Sequence, residues 1–219
     1  MKVRIAVLSL LLSVVLLVQW AAGTAPADGV KRLSEGNERY VSGHFANKAS
    51  SGSDFRRELA TGQHPYAVVV ACADSRVSPE IIFDQDLGDL FVVRTAGNVV
   101  DPVALGSIEY AVEHLHTPLI VVVGHESCGA VKAAVDQKGK PEGNIGAIIK
   151  KILPAVEKAK ASGHRGPDLL YHSTIENVKN TAGEILKRSK ILSHEVGQGK
   201  VKIVGAFYSI ATGKVEPWF

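Results

Sequence analysis

The chain holds only two cysteines in 219 residues, and each sits in a short run of groups that could do chemistry. The first run reads Cys72-Ala-Asp74-Ser-Arg76 and the second His125-Glu-Ser-Cys128-Gly129. Thiolate and imidazole are the ligands that a borderline divalent ion such as zinc prefers, in tetrahedral arrangement. A His-x-x-Cys step joined by a cysteine from elsewhere predicts Cys72, His125 and Cys128 as three ligands. The fourth position goes to Asp74 or to water, and catalysis needs water there. Asp74 and Arg76 are spaced for a charge-assisted, bidentate pair that would hold one carboxylate rotamer. A disulfide between Cys72 and Cys128 is the ordinary alternative in an exported protein. Without a sulfur–sulfur distance the sequence leaves both open.

The elements that must position these groups read as alternating strands and helices. Tyr66–Cys72 is a continuous apolar, β-branched run, as expected of a strand buried on both faces. Leu90–Arg94, Leu119–Gly124 and Val201–Ile210 repeat the pattern. Helical spacing is predicted over Val30–Ser42, Asp54–Thr61, Val103–His116, Ser127–Val135, Gly146–Ala161 and Leu169–Arg188, with Asp101-Pro102 as a helix-starting signal. Strands alternating with helices predict an α/β fold with a central, mostly parallel sheet of four to five strands flanked by helices, preceded by an N-terminal helical arm. Ligands of such sheets bind beyond the carboxyl ends of the strands. Cys72 ends the first buried strand and His125 follows the third, so both runs fall where a site belongs.

Composition bounds the rest. With 46% hydrophobic and 21% charged residues the chain is globular, and its formal net charge is only +3. No basic stripe interleaved with aromatics is present, which speaks against a nucleic-acid partner. Lys2 and Arg4, the apolar run Ile5–Val18 and the small residues Ala21, Ala22, Gly23 and Ala25 have the order of a secretory signal peptide. The expectation is a cleaved leader over 1–25 with no stable membrane anchor afterwards, one domain over 26–219, and export to a bacterial periplasm. His44, His64, His114, His116, His164, His172 and His194 show no ligand spacing and read as surface or helix-end residues, one of them open to proton shuttling.

The two runs, together with Phe91-Val-Val-Arg94, Ala96-Gly-Asn98, Ile108-Glu-Tyr110, Glu35-Gly-Asn37, Val204-Gly-Ala-Phe-Tyr208 and Thr212-Gly213, resemble the β-class carbonic anhydrases over nearly all of the chain after the leader. The resemblance implies a bound Zn2+ and reversible hydration of carbon dioxide to bicarbonate and a proton. It implies that Asp74, oriented by Arg76, accepts a hydrogen bond from the metal-bound nucleophile, or occupies the metal itself in a closed form. Val69 stands where the bicarbonate-regulated subgroup carries tryptophan, so the open form is expected. Thr95 replaces the asparagine frequent in that segment. The likeness also implies substrate-side roles for Gln63, Phe91, Ala96, Tyr110 and Gly129, some of them serving a partner's pocket. A homodimer or homotetramer whose N-terminal helix wraps the partner follows from the same likeness. Glu126, beside His125, is either a proton relay or an exposed residue without a role. Two other functions fit the same ligands: hydrolysis of carbon disulfide or carbonyl sulfide, and a secreted zinc-binding module without turnover.

Overall fold

A computed structural model of the chain describes residues 25–46, 52–139, 141 and 143–219; the expected leader, apart from Ala25, lies outside them. Five strands form one sheet in the order β2-β1-β3-β4-β5. Strands β1 (Ala67–Cys72), β2 (Leu90–Thr95), β3 (Leu119–His125) and β4 (Lys202–Tyr208) are parallel, and β5 (Val215–Trp218) pairs antiparallel with β4. The expected mostly parallel sheet is therefore the observed one, with β5 as its fifth member. Every residue of β1 and β3 is buried, which is why these two strands read as unbroken apolar runs rather than alternating ones.

One face of the sheet packs Val69, Val121 and Val123 against Leu33 of α1 (Pro26–Ser42) and against Ile82 of α3 (Pro79–Ile82). The other packs Val68, Val70 and Val122 against α4 (Pro102–Leu115), α7 (Gly166–Arg188) and α8 (Lys190–Gly197). A third cluster at the carboxyl ends of the strands joins Cys72 and Cys128 to Val131 of α5 (Gly129–Val135) and to Ile149, Ile152 and Val156 of α6 (Ile145–Ala161). Helix α2 (Ser53–Leu59) buries no residue. Among the described residues no helix is long and apolar enough to cross a membrane.

The start of α4 is set locally: the Asp101 carboxylate accepts a 2.8 Å bond from the Ala104 N–H, and Pro102 occupies the first turn. Elsewhere long-range contacts decide. Helix α1 is fastened to the sheet on one side. Leu33 is fully buried, Asn37 Nδ2 donates to Ile82 O (2.9 Å) and Gly213 O (2.8 Å), and Asn37 Oδ1 accepts from Val215 N (2.8 Å). One side chain thus ties α1 to α3 and to the last strand of its own chain. Helix α7 begins at Gly166, earlier than the apolar spacing from Leu169 indicates, and it presses directly on the sheet. A Cβ on Gly124 of β3 would stand 2.6 Å from Val178 Cγ2 and 2.9 Å from Thr174 Cγ2, so only glycine admits the helix there.

Candidate metal centre

Parallel pairing of β1 with β3 brings the two chemical runs to the same edge of the sheet, because Ala71 lies opposite Val123. Cys72 is the last residue of β1, His125 the last of β3, and Cys128 caps the start of α5. One donor atom from each of these three buried residues lies within 4.8 Å of the other two. The sulfurs are free thiols 4.0 Å apart, so no disulfide joins them. Two thiolates each at ~2.3 Å from a single tetrahedral zinc would be about 3.8 Å apart, close to the separation observed.

His125 completes the fit. Its ring is fully buried, with Nδ1 2.9 Å from the carbonyl oxygen of Glu126, while Nε2 has no hydrogen-bond partner. A buried polar atom left without a partner costs on the order of 1–3 kcal/mol. Nδ1 bonded to a carbonyl with Nε2 free is the tautomer and orientation of a metal-ligating imidazole. The donor set therefore fits a zinc ion through Cys72 Sγ, His125 Nε2 and Cys128 Sγ.

The thiols influence one another. The adjacent Cys128 S–H, together with the His125 ring and the Gly97 N–H, pulls the Cys72 thiol down against its burial. Cys128, facing that sulfur and buried, is pushed up. Gly97 N donates to Cys72 Sγ at 3.2 Å from the short 3₁₀ turn Ala96–Asn98 that follows β2. Gly97 has φ +71°, and a Cβ there would lie 2.7 Å from Ile152 Cδ1, so glycine serves both the turn and the packing. Its carbonyl accepts a 2.8 Å bond from Nδ2 of the fully buried Asn177 on α7. A chain of contacts thus runs from α7 through one peptide unit to a ligand sulfur.

Asp74 is held away from the ligand set. Its Oδ1 accepts from Arg76 Nε (2.9 Å) and from Arg76 N (3.0 Å), and its Oδ2 from the second guanidinium nitrogen (2.7 Å). This bidentate pair keeps the carboxyl well below the usual carboxylate range. Of the two positions open to Asp74 from sequence, the structure has it on Arg76, with Oδ2 still 3.9 Å from His125 Nε2. Arg94 fixes the same loop by donating to Cys72 O (3.0 Å) and Asp74 O (2.7 Å).

The substrate-side residues divide. Ala96 and Gly129 flank the centre, in the turn after β2 and the first turn of α5. Gln63, Phe91 and Tyr110 do not reach it within this chain. Gln63 is exposed and precedes β1, a strand about 17 Å long that has Cys72 at its far end. Phe91 pairs with Val68, four residues back from Cys72, and its ring lies 6.3 Å from that of Tyr110, which is 47% exposed. Glu126 is neither a free exposed group nor aimed at the centre: its Oε2 accepts from Ala211 N (2.9 Å) and Ser209 Oγ (3.0 Å), tying down the turn after β4. Those two donors also hold its carboxyl below the usual range. Sequence spacing did not single out Asn177 or give Arg94 a role. Asn177 shows a usable signal, a polar residue on the buried side of a helix, but its partner lies 80 residues away.

Comparison with known proteins agrees with this geometry. A family model described as carbonic anhydrase matches residues 67–215. A Mycobacterium tuberculosis protein named carbonic anhydrase 2 is 44% identical over 194 residues, covering 87% of this chain and 92% of its own length. A Mycolicibacterium smegmatis carbonic anhydrase is 43% identical over the same shares. Among solved structures, a Coccomyxa β-carbonic anhydrase in complex with acetazolamide has a TM-score of 0.70 at 29% identity, over 84% of this chain and 85% of its own. A tetrameric β-carbonic anhydrase of Sordaria macrospora gives 0.68 at 25% identity, over 87% and 96%.

Proposed function

The chain belongs to the carbonic anhydrase family, in its β class, and from that premise we propose that it hydrates carbon dioxide reversibly to bicarbonate and a proton at a zinc held by Cys72, His125 and Cys128. The observation that carries the proposal is the unpartnered, fully buried Nε2 of His125, facing two free thiols. When bound, zinc supplies a Lewis acid that lowers the pKa of a coordinated water from about 15.7 toward 7.

This chain's own residues do the rest. Two thiolates cancel the charge of a divalent ion, so the groups around it must favour ionisation of the water nucleophile. Asp74 does this as an ionised acceptor, aimed by the Arg76 fork with Oδ2 turned toward the His125 side of the centre. The same fork holds the carboxylate on Arg76, where it would not compete with water for a zinc bound by the three ligands.

A dry wall for an apolar substrate is supplied by a second copy. Phe91 and Tyr110 are too far from their own metal centre to line it: Phe91 lies on β2, the open edge strand, with its ring 6.3 Å from that of the half-exposed Tyr110 of α4. Covering that edge in a homodimer, the unit from which a homotetramer is built, would bury these side chains and present Gln63, Phe91 and Tyr110 to the partner's pocket. The first 25 residues retain their reading as a cleaved leader, which would deliver residues 26–219 to the periplasm.

Metal analysis combined with a carbon dioxide hydration assay on the purified chain tests the proposal. One tightly held zinc per chain with rapid hydration is the expected result. Zinc-loaded protein that turns over no carbon dioxide, or that releases sulfide from carbon disulfide instead, would overturn it.

A further inference from the structure

A second group of metal-ligating side chains stands apart from this centre. His164, Asp168 and His172 each offer one ligand atom, and the three atoms lie within 4.8 Å of one another. In sequence they are four residues apart, but Gly166 and Pro167 lie between the first and the others and α7 begins only at Gly166. The fold brings them together differently. After α6 the chain turns through Gly163 (φ +92°) and Gly166 (φ +56°), laying His164 against the first turns of α7. Asp168 and His172 sit four residues apart on α7, which puts them on one face, about 6 Å between Cβ atoms. The His164 and His172 rings stack with centroids 3.4 Å apart and planes within 12°.

The support around these rings is specific. His164 N donates to Ala159 O (3.2 Å), and its carbonyl accepts from an Arg165 guanidinium nitrogen (2.6 Å) that also reaches Lys160 O (2.8 Å). The backbone of His164 is therefore pinned from both sides. The His172 ring meets the edge of Tyr171 at 5.1 Å, and Tyr171 packs on Phe207 of β4 at 5.0 Å. Neither imidazole makes a ring hydrogen bond among the described residues, so their nitrogens are open to solvent or to an ion.

We propose that His164, Asp168 and His172 form a second, peripheral site for a divalent transition-metal ion of the zinc or nickel type. Two neutral imidazoles and one carboxylate are a borderline N2O donor set that suits such ions and not calcium or magnesium. Ligand atoms on one zinc stand about 3.3 Å apart at tetrahedral angles and Zn–N distances of ~2.0 Å. Binding would splay the two rings out of their stack until one nitrogen of each converges with Asp168. All three side chains are partly or fully exposed, so this rotation meets little packing. Water fills the remaining positions. A bound ion would clamp the α6–α7 turn to the helix that carries Asn177, stabilising the fold without entering the reaction.

Equilibrium dialysis of tag-free protein against Zn2+, followed by metal analysis, tests this. The unaltered chain is expected to hold two equivalents, the second released first by a mild chelator. H164A/H172A is expected to hold one, with carbon dioxide hydration unchanged, and D168N to weaken the second equivalent about tenfold or more. Added Ni2+ should raise the melting temperature of the unaltered chain and leave that of H164A/H172A where it was. One equivalent in the unaltered chain, or two in H164A/H172A, overturns the proposal. Loss of the first equivalent in C128S with the second retained would show that the two sites stand or fall separately.

Discussion

The two triads are built from the same number of ligand atoms within the same 4.8 Å, yet their surroundings differ in nearly every other respect. Cys72 and His125 end adjacent parallel strands, so their separation is set by the hydrogen-bond register of a buried sheet. His164 is placed by a turn and His172 by a helix face, and their rings stack. Around the first triad, Gly97 N–H supports a sulfur, Glu126 O orients the imidazole and Arg94 fixes the loop. Around the second, water competes at every ligand. Two thiolates match the charge of a divalent ion, whereas one carboxylate leaves it half compensated. The lesson is that proximity of ligands makes a metal site possible, while burial and orienting hydrogen bonds decide how tightly the ion is held and whether it can be used.

The largest effect should come from breaking the first triad at a ligand. His125→Ala or Cys128→Ser should lose zinc and lower carbon dioxide hydration by about 10³-fold, since the Lewis acid accounts for several kcal/mol of transition-state stabilisation. Metal analysis and stopped-flow hydration would check this, and retention of both metal and rate would remove the basis of the site. Next comes the Asp74–Arg76 pair. Asp74→Asn should keep zinc but reduce turnover by about 10–100-fold, the range for outer-shell partners. An unchanged rate would mean that the pair merely shapes the loop.

Asn177→Ala tests how far the support around the sulfur extends. Losing the bond to Gly97 O should weaken metal affinity by about tenfold, at the low end of the same range. With Co2+ substituted for zinc, the sulfur-to-cobalt charge-transfer band should shift, which a purely packing role for Asn177 would not produce. The smallest effect concerns the clamp near the second triad. Glu176 on α7 meets Lys158 of α6 at 2.5 Å and Lys179 at 3.0 Å. Burial alone would raise its carboxyl, but the two ammonium groups outweigh burial and hold it below the carboxylate range. A depressed folded value means that this link contributes fully above the unfolded carboxylate value, near 4.3, and is lost as pH falls through the lower folded value. Melting temperatures measured between neutral pH and about pH 3 should therefore drop more steeply in the unaltered chain than in Glu176→Gln. Parallel curves would assign Glu176 no part in acid stability.

Much of the first triad was legible because its signals are local. An apolar run of β-branched residues marks a buried strand, and a polar run at its carboxyl end marks a place where side chains leave the core. Both conditions are visible at Cys72 and His125 without any knowledge of pairing. The missed elements are those whose stability comes from elsewhere. Strand β5 contains charge and proline and is held by pairing with β4 and by Asn37, while α3 and α8 are too short for a clear periodicity. The proximity of His164, Asp168 and His172 had no sequence signal, because a turn rather than a continuous helix brings them together.

Residue types and their spacing by themselves determined the fold class and offered a thiolate–imidazole donor set, because burial on both faces and metal preference are written in side-chain identity. Only the tertiary structure decided which candidates share a space. It put Asp74 on Arg76, left the two sulfurs 4.0 Å apart as free thiols, and brought Asn177 to the peptide beside Cys72. It also set Phe91 and Tyr110 apart from their own chain's centre, a separation that residue spacing does not show. The physical reason is that distance in an α/β sheet follows strand register and helix approach. Both are settled by long-range packing, such as α7 closing on Gly124, and neither is encoded in the spacing of residues along the chain.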